Sequence, residues 1–461
     1  MKNSLLKKLC AVSLAAFMLV GTGVAEIGSF VGTGVEVSAA ATSARSFEYS
    51  ENSDGGITIK KFTGSEKDVV IPGTISGKKV TSIEDDAFEY CSDITSVTIP
   101  DGVTRIGTYA FSWCESLKTV NIPDSVTSIG DFTFEFCSSL TSVNIPNSVT
   151  SIGYFAFYSC SSLTSVTIPD SITNIERYAF ACCNLTSIKV SKNNNCYSSK
   201  DGILYDKNKT TLIVCPQRKK TVTIPDSVTS ITEYAFNNCS ILTSVTIPNS
   251  VTSIDYRTFT GSSSFIIFAN KGSYAESYAK YHGIRFATNN IVYGESADIV
   301  CTVPDYNKYT YAVYYKQSTA TKWTTAQNYS ENTEVIFKPK HTGTYNVCIR
   351  AKDENGKVTK TNFDITVNPS LRNTSAVSAN SVKLGEKVNV TAASTGGLGE
   401  KVYEVYYKNS TQTKWTKAQS YSSNTSLTIK PRHTGTYTIC VKAKDERGKV
   451  VKKNLTVEVT K

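Results

Sequence analysis

Apolar and polar residues alternate in a pattern that recurs every 23 residues through the first half of the chain. In the clearest copy the apolar positions are Leu140, Val143 and Ile145, of which the last two alternate with Ser142 and Asn144, and Pro146 follows. Strand side chains point alternately to opposite faces, and proline lacks the amide hydrogen that a strand ladder needs. The pattern predicts a short strand over 140–145, with Val143 and Ile145 inward, that ends at Pro146.

The rest of each copy predicts a second inward face. Val149 and Ile152 supply it in the clearest copy, and Ala156 with Phe157 fills the corner. The phenylalanine recurs at Phe88, Phe111, Phe134, Phe157, Phe180, Phe236 and Phe259. A unit this short cannot bury its own apolar side, so the copies must stack into a solenoid with a shared core.

A cysteine accompanies the phenylalanine at Cys91, Cys114, Cys137, Cys160, then Cys182 or Cys183, and Cys239. Neighbouring turns would place the thiols about 5 Å apart, a distance that does not exclude disulfides. Identical turns give every thiol the same orientation, and a buried free cysteine packs as a small hydrophobe. We therefore favour a reduced column, although export to an oxidising environment argues for disulfides. No pair has the Cys-x-x-Cys spacing of a zinc site.

Two departures from the repeat predict other elements. Between Val190 and Ile224 one repeat is enlarged, and the turn residues at Asp201–Gly202 and 206–209 flank alternating apolar residues, which predicts an inserted hairpin. Tyr274, Tyr278 and Tyr281 then follow at helical intervals before a glycine, which predicts an amphipathic helix capping the core.

The remainder is two copies of one module, 289–368 (module 1) and 373–461 (module 2). Tyr314, Trp323, His341, Tyr345 and Cys348 recur 92 residues later as Tyr406, Trp415, His433, Tyr437 and Cys440. Short strands separated by Gly, Asn or Asp turns predict β-sandwiches. Cys301 and Cys348 could bridge module 1, but module 2 has only Cys440, so we do not favour that disulfide.

The copies share the motif Leu-Thr-Ser-Val-Thr-Ile-Pro-x-Ser-Val-Thr-Ser-Ile-x-x-x-Ala-Phe-x-x-Cys. Over about 57–287 this motif resembles the BspA-like (Treponema-type) leucine-rich repeat of bacterial surface proteins. The resemblance implies a secreted or surface-attached protein that binds host or matrix proteins, other cells or glycans, and no catalytic residues. The two modules resemble triple-tyrosine, Ig-like domains, which implies spacers or contacts with wall or carbohydrate. The predicted fold is mainly β: a leucine-rich-repeat solenoid over 45–287, with a helical cap, followed by two tandem Ig-like β-sandwiches.

The amino-terminal 39 residues predict export. Lys2, Lys7 and Lys8 precede an apolar run from Leu9 to Val20, and Val37–Ala39 resembles a signal-peptide cleavage site, with a weaker alternative after Ala25. The run is shorter than the ~20 residues of a transmembrane helix. We therefore expect cleavage after Ala39, a secreted or extracellular and cell-wall-associated protein, and no transmembrane or carboxyl-terminal anchor.

Charge is uneven along the 461 residues, whose formal net charge is +10. Residues 40–287 carry −2, 288–372 carry +2 and 373–461 carry +9. A Lys-rich solvated surface explains this distribution. The alternative is long-range attraction of 373–461 to an anionic cell-wall polymer. We expect no nucleic-acid partner, because the chain carries no nucleic-acid-binding motif.

No constellation predicts catalysis. His341 and His433 occupy the same place in duplicated modules, His282 has no nucleophile partner in sequence, and Asp85–Asp86 lacks the spacing of a calcium loop. There is no phosphate loop, nucleophile elbow or zinc motif. We therefore predict no enzymatic activity, no cofactor and no metal.

Repeated surface positions supply the ligand-binding candidates. One set is the aromatic strip Tyr90, Trp113 and Phe136, each just before a column cysteine, provided these rings are exposed. The other set is two polar columns on the outer side of the strands, namely Ser96, Thr119, Ser142 and Ser165 beside Thr98, Asn121, Asn144 and Thr167.

The sequence thus favours a secreted or cell-surface binding and adhesion protein, whose solenoid contacts an extracellular protein or glycan. Two alternatives remain open. One is a structural wall or matrix component without a specific ligand. The other is an accessory part of a secreted carbohydrate-active system.

Overall fold

The computed structural model describes residues 40–263, 265–302 and 308–461. The predicted signal peptide lies outside the described residues. Residues 41–461 form one structural unit, which is mainly β, with a solenoid of about ten turns over 57–287. Within the described residues no helix is long and apolar enough to cross a bilayer.

The strands are numbered in chain order. Those before the enlarged repeat are β1 (Phe47–Glu51), β2 (Ile57–Phe62), β3 (Asp68–Val70), β4 (Thr74–Ile75), β5 (Lys78–Ile83), β6 (Ser96–Thr98), β7 (Arg105–Ile106), β8 (Thr119–Asn121), β9 (Ser128–Ile129), β10 (Ser151–Ile152), β11 (Ser165–Ile168), β12 (Asn174–Ile175) and β13 (Ser187–Val190). The elements that complete the solenoid are β14 (Tyr197–Lys200), β15 (Ile203–Asp206), β16 (Thr211–Val214), β17 (Thr221–Thr223), β18 (Ser230–Ile231), β19 (Ser244–Thr246), β20 (Ser253–Ile254), β21 (Ile266–Phe268), helix α1 (Tyr274–Tyr281) and β22 (Arg285–Ala287).

Each module contributes long antiparallel strands. Module 1 contains β23 (Asn290–Val292), β24 (Ala297–Val300), β25 (Tyr309–Gln317), β26 (Thr324–Ser330), β27 (Glu334–Phe337), β28 (Gly343–Asp353) and β29 (Val358–Asn368). Module 2 follows as β30 (Arg372–Asn373), β31 (Ala376–Val377), β32 (Ser381–Lys383), β33 (Val388–Thr391), β34 (Ser394–Thr395), β35 (Val402–Asn409), β36 (Thr416–Ser422), β37 (Ser426–Ile429), β38 (Gly435–Lys444) and β39 (Val450–Thr460).

Backbone hydrogen bonds hold neighbouring turns together on three sides, although the strand ladders on two of these sides are interrupted. A first parallel ladder runs through β3, β6 and β8, and a second through β5 and β7 and then β9, β10 and β12. The third side has no strands: Phe111 N donates to Thr133 O (2.9 Å) and Phe134 N to Ala156 O (2.8 Å). The repeat therefore stacks in register, as its 23-residue period predicts.

The strand predicted over 140–145 is absent from the structure. Ser142 and Asn144 are exposed and Ile145 is buried, as predicted, but residues 141–146 have no strand, so the first ladder is interrupted between β8 and β11. Thr141 N still donates to Lys118 O (3.2 Å). The side-chain pattern therefore predicts correctly which residues point into the core. A strand also requires a continuous ladder of backbone hydrogen bonds, which is not formed over 141–146.

The predicted hairpin insertion is confirmed. β14 and β15 pair antiparallel around Asp201 and Gly202, which both have left-handed backbones (φ 54° and 77°), and β16 pairs antiparallel with β15. β16 then pairs parallel with β18, so the insertion rejoins the second ladder.

β15 lies between two hydrophobic cores. Leu204 belongs to the core that runs back to Phe47, whereas Ile203 and Tyr205 belong to the core that runs on to Val300. Because alternate strand residues face opposite sides, one strand can close both cores.

Helix α1 caps the solenoid as predicted, but with a different buried stripe. Ala275, Tyr278 and Ala279 are buried, whereas Tyr274 and Tyr281 are exposed. Ser273 caps the helix by accepting from Glu276 N, and Tyr278 Oη donates to Asp255 O (3.1 Å). Ala275 lies three residues before Tyr278 and four before Ala279, so these three side chains form one buried stripe, and Tyr274 and Tyr281 lie together to one side of it.

Module 1 shares a sheet with the solenoid. The first ladder continues as β17-β19-β21-β22 and then into β24 and β27 of module 1. Ile267 and Phe286 face the solenoid core, whereas Ile266, Phe268 and Ala287 face the core of module 1. The second sheet of module 1 is β23-β29-β28-β25-β26. Module 2 has its own five-stranded sheet, β32-β39-β38-β35-β36, with β31-β33-β37 opposite.

Candidate functional site

The three predicted aromatic residues form a stacked strip on the third side of the solenoid. Tyr90 stacks on Trp113 (ring centroids 6.0 Å apart), and Trp113 stacks on Phe136 (4.0 Å). Tyr90 is 65% exposed, while the other two rings are half-buried. The strip therefore offers solvent-accessible ring surface across three consecutive turns.

All three residues of the aromatic strip have left-handed backbones. The φ angles are 60° at Tyr90, 58° at Trp113 and 55° at Phe136. This conformation costs a residue other than glycine or asparagine about 1 kcal/mol or more. Later turns place Ser159, Cys182 and Asn238 in the same conformation. The fold therefore does not require an aromatic side chain at this position.

A second aromatic column lies beside the strip. Tyr109, Phe132, Phe155 and Tyr178 stack in succession with centroid distances of 4.5–5.4 Å, and Tyr234 packs at a tilt against Tyr178 (4.3 Å). Tyr158 joins the two sets, since its ring contacts Phe136 (5.4 Å) and Phe155 (4.8 Å) edge to face. The two sets thus form one aromatic surface, which is predominantly half-buried.

Carboxylates border this aromatic surface. The pKa of Glu89 is raised by burial and, to a lesser extent, by the charge of Asp86. The pKa of Glu135 is raised by burial and, to a lesser extent, by the charge of Glu89. The pKa of Tyr109 is also raised, first by burial and then by Glu135 and its acidic neighbours. A ligand that offers hydroxyl or cationic donors beside an apolar face would match this surface.

The polar columns lie on the first ladder, further along each turn than the strip. Seven of their residues, Thr98, Thr119, Asn121, Ser142, Asn144, Ser165 and Thr167, are exposed. Ser96 is half-buried and donates to Asp68 Oδ1 (2.6 Å), and this bond, followed by one from Thr95, lowers the pKa of Asp68. The columns can form hydrogen bonds but contain no carboxylate or imidazole that could act as a base.

The insertion also leaves a cleft that the sequence does not predict. It has a volume of about 540 Å³ and lies where the second ladder stops at β12 and resumes at β16. Tyr178 and Tyr234 from the second aromatic column line it, together with Arg177 and Glu233. Gln217 spans the break, since it donates to Phe180 O (3.2 Å) and accepts from Leu185 N (3.2 Å). The enlarged repeat was the available signal, but its length does not show whether the insertion fills the turn or leaves it open.

In the structure Cys183, not Cys182, continues the cysteine column. The thiols of Cys114, Cys137, Cys160 and Cys183 each donate to the carbonyl of the phenylalanine one turn earlier at 3.1–3.2 Å. All twelve described cysteines are free, including Cys301 and Cys348. Burial raises the pKa of the column thiols, and that of Cys91 reaches about 11.

We expect a free-thiol titration of residues 40–461, denatured without reductant, to find about twelve thiols per chain. In the native protein the column thiols should react slowly with an alkylating agent, because the thiolate is the reactive form and burial disfavours it. A titration near zero in denaturant would show that the column is oxidised and would contradict the hydrogen-bonded thiols.

The histidines show no catalytic grouping. The side chains of His341 and His433 are exposed, and the backbone N–H of each donates to a tyrosine hydroxyl four residues later (3.1 and 3.3 Å). His282 packs on Tyr278, and burial lowers its pKa. Among the described residues no three His, Cys, Asp or Glu side chains form a group that could hold a metal ion.

Two family models match the chain. The model described as BspA type leucine rich repeat region matches residues 81–204 and 215–283 in six copies, and the model described as BatD DUF11 like domain matches residues 375–449. The triple-tyrosine, Ig-like resemblance of the modules stays a prediction. No curated protein matches the chain.

Solved leucine-rich repeat structures are similar to part of the chain. The Treponema pallidum leucine rich repeat protein is 25% identical, over 49% of this chain and 86% of that one (TM-score 0.34). A leucine rich cell surface protein of Faecalibacterium prausnitzii is 29% identical, over 47% and 73% (0.35). The pneumococcal vaccine antigen PcpA is 20% identical, over 53% and 73% (0.39). From its family-model match and its stacked 23-residue turns, the solenoid is a BspA-type leucine-rich repeat region.

Proposed function

We propose that this chain is a secreted or cell-surface binding and adhesion protein that acts through the third side of its solenoid. The aromatic strip of Tyr90, Trp113 and Phe136 carries the proposal. Its rings occupy left-handed positions at which serine and asparagine serve elsewhere in the same solenoid. Because serine and asparagine serve at the same position, the turn does not need these rings, and their accessible surface is free to contact a ligand.

The proposed ligand is an extracellular glycan or protein. Stacked rings beside carboxylates suit sugar faces and also the apolar and cationic side chains of a protein. The polar columns would supply further hydrogen bonds, and the cleft beside Tyr178 would receive a projecting group. The modules would act as spacers and as the contact with the cell wall, supported by the net charge of +9 over 373–461.

The double substitution Tyr90→Asn and Trp113→Asn tests the strip. We expect it to weaken retention on glycan or matrix-protein arrays by about 30-fold or more, because buried aromatic anchors dominate binding energy. Asparagine tolerates a left-handed backbone, so relief of backbone strain should offset the lost stacking and the melting temperature should change little.

Tyr281→Asn is the matched control, since that ring is 86% exposed on α1, outside the strip. It should bind like the wild type. Equal retention of the double variant and the wild type would contradict the role of the strip. Failure of the wild type to bind on any array would favour a structural component without a specific ligand.

A further inference from the structure

The two modules carry the same set of cations stacked on aromatic rings. In module 1, Lys316, Arg350 and Lys352 lie over Trp323, Tyr314 and Tyr329 at 5.4, 4.8 and 4.4 Å. In module 2, the residues 92 positions later, Lys408, Lys442 and Lys444, lie over Trp415, Tyr406 and Tyr421 at 5.1, 4.5 and 4.5 Å. We call each set the cationic face of its module.

The modules differ at one buried position beneath this face. Glu404 of module 2 is buried and faces Lys442 across β35 and β38, whereas the equivalent residue of module 1 is Ala312, which faces Arg350. Glu404 forms ion pairs with Lys442 (3.0 Å) and Lys417 (3.2 Å). Burial opposes ionisation of Glu404, but hydrogen bonds from Tyr406 and both lysines outweigh it and lower its pKa to about 2. The carboxylate of Glu404 therefore offsets one of the two positive charges of Lys442 and Lys417, and it holds Lys442 of the cationic face in an ion pair.

Arg350 of module 1 lacks such a partner. Among the residues that the structure describes, no carboxylate forms an ion pair with it, and its buried Nε has no hydrogen-bond partner. Lys360, directly opposite on β29, adds a second cation beside it. The buried Oγ1 of Thr310, near the start of β25, is also without a partner. Arg350 is only half-buried, and its side chain interacts with Cys348 and stacks on Tyr314, so its charge, which no carboxylate offsets, is accessible to an external anion.

The arrangement of charges selects the class of anion. Arg350 and Lys352 lie two residues apart on one strand, so their charges recur about 6.6 Å apart along β28. A guanidinium binds phosphate through two parallel hydrogen bonds, and Trp323, which is exposed, provides apolar surface for carbon atoms. A polymer in which phosphodiesters alternate with polyol units offers both regularly spaced phosphates and carbon atoms.

We propose that the cationic face of module 1 binds a phosphodiester polymer of the polyol-phosphate type, and that Glu404 blocks the equivalent site in module 2. The inference rests on the proposed wall contact of the modules, and it assigns that contact to module 1, although module 2 has the larger net charge.

Reciprocal substitutions test this proposal, with poly(glycerol phosphate) as the probe and residues 40–461 as the protein. Ala312→Glu places the carboxylate of module 2 under Arg350 and should weaken binding about tenfold. Glu404→Ala frees Lys442 and Lys417 and should strengthen binding. Arg350→Gln removes the charge without adding a buried group, and it should also weaken binding if Ala312→Glu fails to fold.

Each result has one meaning. Binding by the wild type that decreases with salt, together with opposite effects of the two reciprocal variants, supports the proposal. Wild-type binding that neither Ala312→Glu nor Arg350→Gln changes overturns the assignment to module 1 but leaves the wall contact intact. No binding by the wild type overturns both. Equal affinity for polyglutamate overturns the choice of phosphodiesters.

Discussion

Phe157→Ala is expected to lower the free energy of unfolding of the solenoid by about 3–5 kcal/mol, the range found when a buried aromatic ring is truncated. Phe157 is fully buried and stacks between Phe134 (5.4 Å) and Phe180 (5.5 Å). Each ring supports the next turn on both sides, so the variant loses two ring contacts and leaves a cavity in the centre of the stack. The turns cannot collapse onto it, because their spacing is fixed by backbone hydrogen bonds.

Urea denaturation followed by circular dichroism measures this loss. Phe155→Ala is the matched control, because Phe155 lies in the same turn but is half-buried. We expect it to cost about 1 kcal/mol, mainly through lost stacking. If the two variants were equally destabilised, the phenylalanine column would not be the principal core of the solenoid.

Tyr205→Ala is expected to destabilise the carboxyl-terminal half of the solenoid more than the amino-terminal half. Tyr205 is 1% exposed and faces the core that runs to Val300, while the adjacent Leu204 faces the other core. Truncation should cost about 3–5 kcal/mol in the second core. Because the stability of a stacked repeat array is a sum of local and nearest-neighbour contributions, the effect should fall off with distance from β15.

Hydrogen exchange resolved by peptide measures both halves in one experiment. We expect faster exchange over 222–287 and nearly unchanged exchange over 81–160 in Tyr205→Ala. Tyr205→Phe, which keeps the ring, should change either segment little. Uniform acceleration over both segments would show that the two cores unfold as one unit.

The solenoid turn could be predicted because the same apolar residues recur at a fixed spacing in successive copies of the repeat. Phe157 and Ile152 recur at fixed spacing, and their burial follows from the need of short copies to share a core. The cysteine column was predicted in the same way, but the sequence left Cys182 or Cys183 open, and the structure places Cys183 in the column. The left-handed backbone of Tyr90 and Trp113 could not be predicted from the sequence, because tyrosine and tryptophan normally avoid that conformation.

Features that depend on two distant segments could not be predicted from the pattern of one. The cleft depends on how β16 rejoins the ladder, and the ion pairs of Glu404 depend on the register of β35 against β38. A comparison of the two module sequences shows that Ala312 of module 1 corresponds to Glu404 of module 2. Only the strand pairing shows that Ala312 lies opposite Arg350 and that Glu404 lies opposite Lys442. Seven of the eight residues of the polar columns are exposed and Ser96 is half-buried, whereas the ligand of the columns stays a prediction.

The sheet shared by the solenoid and module 1 has a consequence for how such proteins can be recombined. If module 1 were transferred to another protein from residue 289 onward, Ile266 and Phe268 would stay with the solenoid. Module 1 would then lack part of its hydrophobic core. Module 2 draws its strands from residues 372–460 alone, so it can be transferred or duplicated as a cassette. Extra copies should therefore accumulate at the carboxyl-terminal end of proteins built in this way, and the first copy should be inherited together with its solenoid.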